Sequence, residues 1–130
     1  MLKINIDYNL EDTVYRQIYN QIVEQIASSN IHPGDKIPSS REMAGVLNIN
    51  FHTVNKAYQL LRENGIIELS KNKRYIISKK NKTGDAVDDF KKRETDIINE
   101  AMVKGLNSDD IIKTVKNILN LKGGGLIKWL

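Results

Sequence analysis

Residues 33–67 read P-G-D-K-I-P-S-S-R-E-M-A-G-V-L-N-I-N-F-H-T-V-N-K-A-Y-Q-L-L-R-E-N-G-I-I, and the spacing of caps and apolar positions within them decides the fold. Ser39 stands where a helix cap belongs, and Glu42 follows three residues later, so the two can satisfy each other's orphan amides as a capping box. A helix therefore starts near Ser40, with Met43, Ala44 and Leu47 on one face. Asn48-Ile49-Asn50 is too short and polar for anything but a turn, and Asn50 offers a second cap. From Phe51 onward, Val54, Ala57, Tyr58 and Leu61 follow the helical repeat, and Asn64-Gly65 ends the second helix with a left-handed residue at Gly65. Two helices joined by a very short turn, with polar and basic groups opening the second, present a helix to the major groove of DNA.

The surrounding elements complete that unit. Residues 3–7 alternate through Ile4 and Ile6, which predicts a short strand. Asp12 or Thr13 caps a first helix whose stripe is Tyr15, Ile18, Tyr19, Ile22 and Ile26, and Ser28-Ser29-Asn30 followed by Pro33-Gly34 ends it. Tyr15 and Tyr19 fit core packing, with a ligand site as the competing role. After Gly65, Ile67 and Leu69 alternate with polar residues, as Tyr75 and Ile77 alternate with Arg74, Ile76 and Ser78. Lys71-Asn72-Lys73 lies between them, so the pattern is a hairpin with a basic tip, and Asn72 is the residue there that best tolerates a left-handed conformation.

The order P-G-D-x-I-P-S-x-R-E-x-A, then L-x-I-N-x-x-T-V-x-K-A-Y-x-x-L, then E-x-G-I-I resembles the winged helix-turn-helix domain of the GntR family of bacterial transcriptional regulators. The resemblance covers roughly residues 10 to 78. I-D-Y-N-L-E-D-T-V-Y-R-Q-I-Y-N-Q-I upstream is similar to the opening of its YtrA subfamily, whose small C-terminal part matches the short remainder of this chain. The resemblance implies a mainly α fold with a small β wing. Residues 1–80 would form the winged helix-turn-helix domain, and residues 81–130 a two-helix C-terminal dimerisation region with an apolar tail.

In that family the arginine of P-S-x-R contacts DNA, which places Arg41 in the site together with Ser39 and Ser40. The start of the recognition helix corresponds to Asn50, Phe51, His52, Thr53, Asn55 and Lys56. Asn55 suits adenine, Thr53 a phosphate or thymine methyl, and Lys56 a phosphate. The competing role for Arg41 is a salt bridge to Glu42 or Asp35. Phe51 departs from relatives that carry a basic residue there, so their operator does not transfer. The wing tip Lys71, Asn72, Lys73 and Arg74 opens an acid-free run continuing through Lys79, Lys80 and Lys82, suited to a phosphate backbone. Taken alone, such a run reads first as a solvated surface; beside a helix-turn-helix it reads as a DNA contact.

Composition sets the outer bounds. The chain has 130 residues, with 20 basic against 16 acidic and a net charge of +4; its pI of about 9.2 mildly favours a polyanionic partner. There is room for one small domain and an appendage but not for a large catalytic core. Cysteine is absent, which excludes disulfides and thiolate metal sites. The start of the chain lacks an uninterrupted apolar core and no segment has the length of a membrane span, so a cytoplasmic protein without membrane contact is expected. His32 and His52 lack the partners of a metal or catalytic centre, and no phosphate loop or nucleophile elbow is present, so no enzyme is expected.

Beyond a polar linker at residues 78–85, a helix from about Asp85 to Lys104 carries Val87, Phe90, Ile97, Ile98, Ala101 and Met102, and Gly105 stops it. Another begins at Ser108 with Ile111, Ile112, Val115, Ile118 and Leu119. Such a pair has little core of its own, so its apolar faces call for cover by the other domain or by a second copy; a homodimer on a double-stranded DNA operator is the expected assembly. No cofactor is expected; a small-molecule effector would find room only at the dimer interface. The tail L-K-G-G-G-L-I-K-W-L is read as packing across the dimer, closing over a ligand or remaining unordered; one Lys among four apolar residues is too little anchor for a membrane surface. A protein-interaction module is the alternative function, because winged helices also serve as docking surfaces.

Overall fold

A computed structural model describes residues 2–79 and 83–122. Three helices, α1 (Val14–Ala27), α2 (Ser40–Leu47) and α3 (Phe51–Glu63), precede a hairpin of β1 (Ile67–Leu69) and β2 (Tyr75–Ile77). Helices α4 (Thr83–Val103) and α5 (Ser108–Lys122) follow. The chain divides into two units, Met1–Lys80 and Asn81–Leu130.

The first unit is built on the stripes that the sequence displays. Ile18 and Ile22 of α1 meet Val54, Ala57, Tyr58 and Leu61 of α3, all wholly buried, and Ile37, Met43, Ile67 and Ile77 close around them. Tyr58 donates its hydroxyl hydrogen to the Pro38 carbonyl at 2.7 Å. Burial, reinforced by Glu42 and Tyr75, raises its pKa far above that of a free phenol, so it remains a neutral donor.

Caps fix the helix boundaries. Thr13 rather than Asp12 caps α1. The capping box is present: the Glu42 amide donates to Ser39 Oγ at 3.1 Å, and the Ser39 amide to Glu42 Oε1 at 3.3 Å. Asn48 takes the left-handed conformation that ends α2, at φ 54°. Gly65, at φ 72°, does the same for α3, where the Ile66 amide reaches back to the Leu61 carbonyl at 2.8 Å.

Residues 3–7 do not form the expected strand. They lie along α1, where Gln17, Gln21 and Gln25 act as side-chain surrogates for a neighbouring strand. Gln17 accepts from the Asp7 amide and donates to the Asp7 carbonyl, both at 2.9 Å. Gln21 does the same at Asn5 (2.9 and 2.6 Å) and Gln25 at Lys3 (3.0 and 2.8 Å). A carboxamide carries one acceptor and one donor group, like a peptide unit. Four residues of helix rise about 6.0 Å, close to the roughly 6.6 Å spanned by two extended residues, so the two repeats stay in step. The alternation survives in another role, since Leu2, Ile4 and Ile6 pack against the core while the intervening residues meet the glutamines.

Gln17 is buried and also donates to the Asp12 carbonyl at 3.1 Å. Gln17→Ala strips partners from three backbone groups and is expected to cost about 2 kcal/mol in urea denaturation. Gln25→Ala, at an exposed pair, should cost less than about 1 kcal/mol.

In the hairpin, Ile67 pairs with Ile77, Glu68 with Ile76 and Leu69 with Tyr75. Residues 34–37 line the other edge of β2, with Gly34 donating to the Ile77 carbonyl, Ile77 to Asp35 and Ile37 to Tyr75, at 2.8, 2.8 and 3.1 Å. Flanked on both sides, Ile76 is buried along with Ile77, against the simple alternation.

The left-handed tip residue is Lys73, at φ 58°, not Asn72. Ser70 and Arg74 close the loop: the Ser70 amide donates to the Arg74 carbonyl and the Lys73 amide to the Ser70 carbonyl, a turn that puts its third loop residue in the left-handed region. A side chain there carries a steric cost, so Lys73→Gly should raise stability by about 1 kcal/mol in urea denaturation.

The second unit lacks a buried residue among those described. Gly105 (φ 103°) stops α4, and Asn107 and Asp110 cap α5 reciprocally at 2.9 and 3.1 Å. Phe90, Ile97, Ile98 and Met102 of α4, and Ile112, Val115 and Ile118 of α5, are exposed; Ala101, Ile111 and Leu119 are half-buried. Lys80, Lys82 and the tail from Gly123 to Leu130 lie outside the described residues. No described helix is long and apolar enough to cross a membrane.

Candidate nucleic-acid interface

Helix α3 turns Val54, Ala57, Tyr58 and Leu61 into the core, which leaves the intervening side chains on its other faces. His52 and Lys56 are exposed; Phe51, Thr53 and Asn55 are half-buried. The first turn contains no acidic residue, so the positive end of the helix is not offset and favours a phosphate. Asn50 is exposed, but its side-chain oxygen already accepts the His52 amide at 2.8 Å. Ser39 is likewise engaged in its capping box.

Arg41, in the first turn of α2, is exposed. Its guanidinium carbon lies over the Phe51 ring, 4.6 Å from the centroid. The expected alternative, a salt bridge to Glu42 or Asp35, is not formed. Glu42 faces Arg74 at 3.8 Å and Asp35 accepts from the His32 amide at 2.8 Å. Sequence reasoning missed the Arg41 and Phe51 pairing because their separation gives no helical or strand signal. The His52 ring meets Phe51 edge-on at 5.5 Å.

Lys56 sits over Tyr15 at 4.1 Å, which ties its ammonium to the groove between α1 and α3. Tyr15 and Tyr19 pack against the core, and the Tyr19 hydroxyl accepts from Asn64 at 2.9 Å. The groove beside Tyr15, bounded by Arg16, Lys56, Gln59, Leu60 and Glu63, has a volume of about 320 Å³ and lies open to solvent. Ser40 differs from the other site candidates in being buried, with 7% exposure, so its side chain is poorly placed for an external partner.

At the wing, Lys71, Asn72, Lys73 and Arg74 are all exposed, as is Lys79. Arg74 is drawn toward α2 by Glu42, which leaves Lys71 and Lys73 as the tip's unpaired cations among the described residues. The candidate surface thus has two parts, the polar opening of α3 with Arg41 beside it and a cationic hairpin tip. Among the described residues, no group of three His, Asp or Glu side chains is arranged to hold a metal ion.

Comparison with known proteins identifies the family. Residues 14–77 match the sequence pattern of the bacterial regulatory proteins of the gntR family. The HTH-type transcriptional repressor YtrA of Bacillus subtilis (strain 168) is 33% identical over 125 residues, covering 93% of this chain and 96% of that protein. Among solved structures, YtrA from Sulfolobus acidocaldarius, a GntR-family transcription factor, superposes with a TM-score of 0.60 at 33% identity, covering 90% of this chain and 97% of that one. A transcriptional antiterminator from Listeria monocytogenes EGD-e superposes with a TM-score of 0.76 at 26% identity, covering 89% of each chain. The likeness extends over both units, so the short C-terminal pair of helices is part of the shared architecture. The chain belongs to the GntR family of bacterial regulatory proteins, as a DNA-binding transcriptional regulator of the YtrA type.

Proposed function

We propose that this regulator is a homodimeric repressor that binds an inverted-repeat operator in the cytoplasm, with α3 and Arg41 reading bases and the wing tip gripping phosphate. The carrying observation is the polar opening of α3, fixed by the Asn50 cap and flanked by an exposed Arg41 that no carboxylate holds among the described residues. Thr53, Asn55 and Lys56 serve as the further contacts, and Lys71 and Lys73 as phosphate contacts. Ser39 and Asn50 act chiefly through their caps, and Ser40 is left out because it is buried.

Residues 1–80 are the DNA-binding part in this reading, and residues 81–130 join two copies. Exposed apolar side chains on both α4 and α5 support that division, because so much apolar surface on two short helices calls for a cover. A two-fold dimer matches half-sites about one helical turn apart. The similarity to the YtrA repressor supports blocking of a promoter, and a neighbouring operon for an ATP-binding cassette transporter is the proposed target.

A salt titration separates DNA binding from service as a protein-docking module. The affinity for duplex DNA should fall by several log units per decade of salt. A flat response would contradict the proposal.

A further inference from the structure

We propose that Phe51 is the positioning residue of Arg41: its ring face holds the guanidinium in place before DNA arrives and sets how strictly Arg41 discriminates among sequences. The inference rests on the DNA-binding reading above and adds a role for the aromatic residue that opens α3.

Phe51 opens α3, is half-buried and packs against the core, so its ring is a fixed support. Arg41 is exposed and would otherwise sample many rotamers, with a guanidinium that has to be ordered when a base edge is bound. The 4.6 Å approach of its guanidinium carbon to the ring centroid supplies that ordering in the free protein.

The kind of partner matters. A carboxylate would neutralise the cation and occupy the N–H donors needed for a guanine edge or a phosphate. The two nearest candidates in sequence are drawn elsewhere, Glu42 toward Arg74 and Asp35 toward His32. An aromatic face attracts the cation without supplying a lone-pair acceptor, so the charge stays intact. A basic side chain in place of the ring would instead repel the guanidinium. Phe51 thus serves as an uncharged platform for Arg41.

The test uses the full chain with two duplexes, one selected by the wild-type protein from a random pool and a scrambled duplex of equal length. Phe51→Leu keeps an apolar side chain and removes the ring; Phe51→Tyr keeps the ring. Phe51→Leu is expected to lower the preference for the selected duplex about two- to fivefold, with the salt slope unchanged because no phosphate contact is lost. Phe51→Tyr should retain the preference. With Arg41→Ala in place, Phe51→Leu should have no further effect.

In the free protein, the Arg41 side-chain protons should show an upfield ring-current shift in NMR spectra that Phe51→Leu abolishes, which reports the pairing without DNA. If Phe51→Leu leaves the preference unchanged, or acts equally with and without Arg41, the positioning role is overturned while DNA binding stands. Failure of the wild-type protein to select any duplex would overturn the DNA-binding reading and this role with it.

Discussion

Arg41→Ala is expected to weaken binding to the preferred duplex by about 1–3 kcal/mol and to reduce discrimination by a similar factor, read by fluorescence anisotropy. The size follows from the chemistry of a guanidinium, whose planar fork can make two parallel bonds to one guanine edge. The cost should fall on recognition and not on folding. Arg41 is exposed, contributes no hydrogen bond to the capping box of α2, and leaves no carboxylate unpaired when it is removed. A surface contact with one ring is worth about 0.5–1 kcal/mol, so the thermal midpoint should move by only a few degrees. Unchanged binding would remove Arg41 from the interface.

Truncation after Lys82 is expected to have the larger effect, giving monomers by light scattering and weakening operator binding about 10²- to 10⁴-fold. The range is that for linking two binding modules, because a dimer binds its second half-site as an intramolecular event. The winged unit should survive the cut. Its wholly buried residues, from Ile18 to Leu61, all belong to it, and the glutamine contacts that hold residues 3–7 lie inside it as well. The removed helices expose apolar residues on both α4 and α5, including a shallow concavity of about 250 Å³ lined by Ile111, Ile112, Val115, Lys116 and Leu119. A truncated chain that stays dimeric would move the interface into the winged unit.

What could be read from the sequence divides along the range of the interactions. The bounds of α2 and α3 were legible because their signals are local: the capping box spans Ser39 to Glu42, and the stripe from Val54 to Leu61 repeats every three or four residues. Gly65 was legible for the same reason. The glutamine rungs were not, because each joins a side chain to a backbone 10 to 22 residues away, and glutamine on a helix ordinarily signals nothing but solvent. The pairing of residues 34–37 with β2 was hidden in the same way, since P-G-D-K-I looks like a turn until its partner near Ile77 is known.

At the wing tip, residue preference favoured Asn72, but the turn closed by Ser70 and Arg74 puts the left-handed position at Lys73. Loop closure outweighs the intrinsic tolerance of asparagine. For the candidate interface, residue types indicated which side chains could meet DNA, whereas engagement required coordinates. Ser40 is buried, Arg74 is drawn to Glu42, and Arg41 rests on Phe51.

Selection of bound sequences from a random duplex pool decides whether this chain reads DNA as a two-fold dimer. The expected result is enrichment of an inverted repeat with half-sites about one helical turn apart, bound more weakly as salt rises. A pool that emerges without any enriched sequence would contradict it.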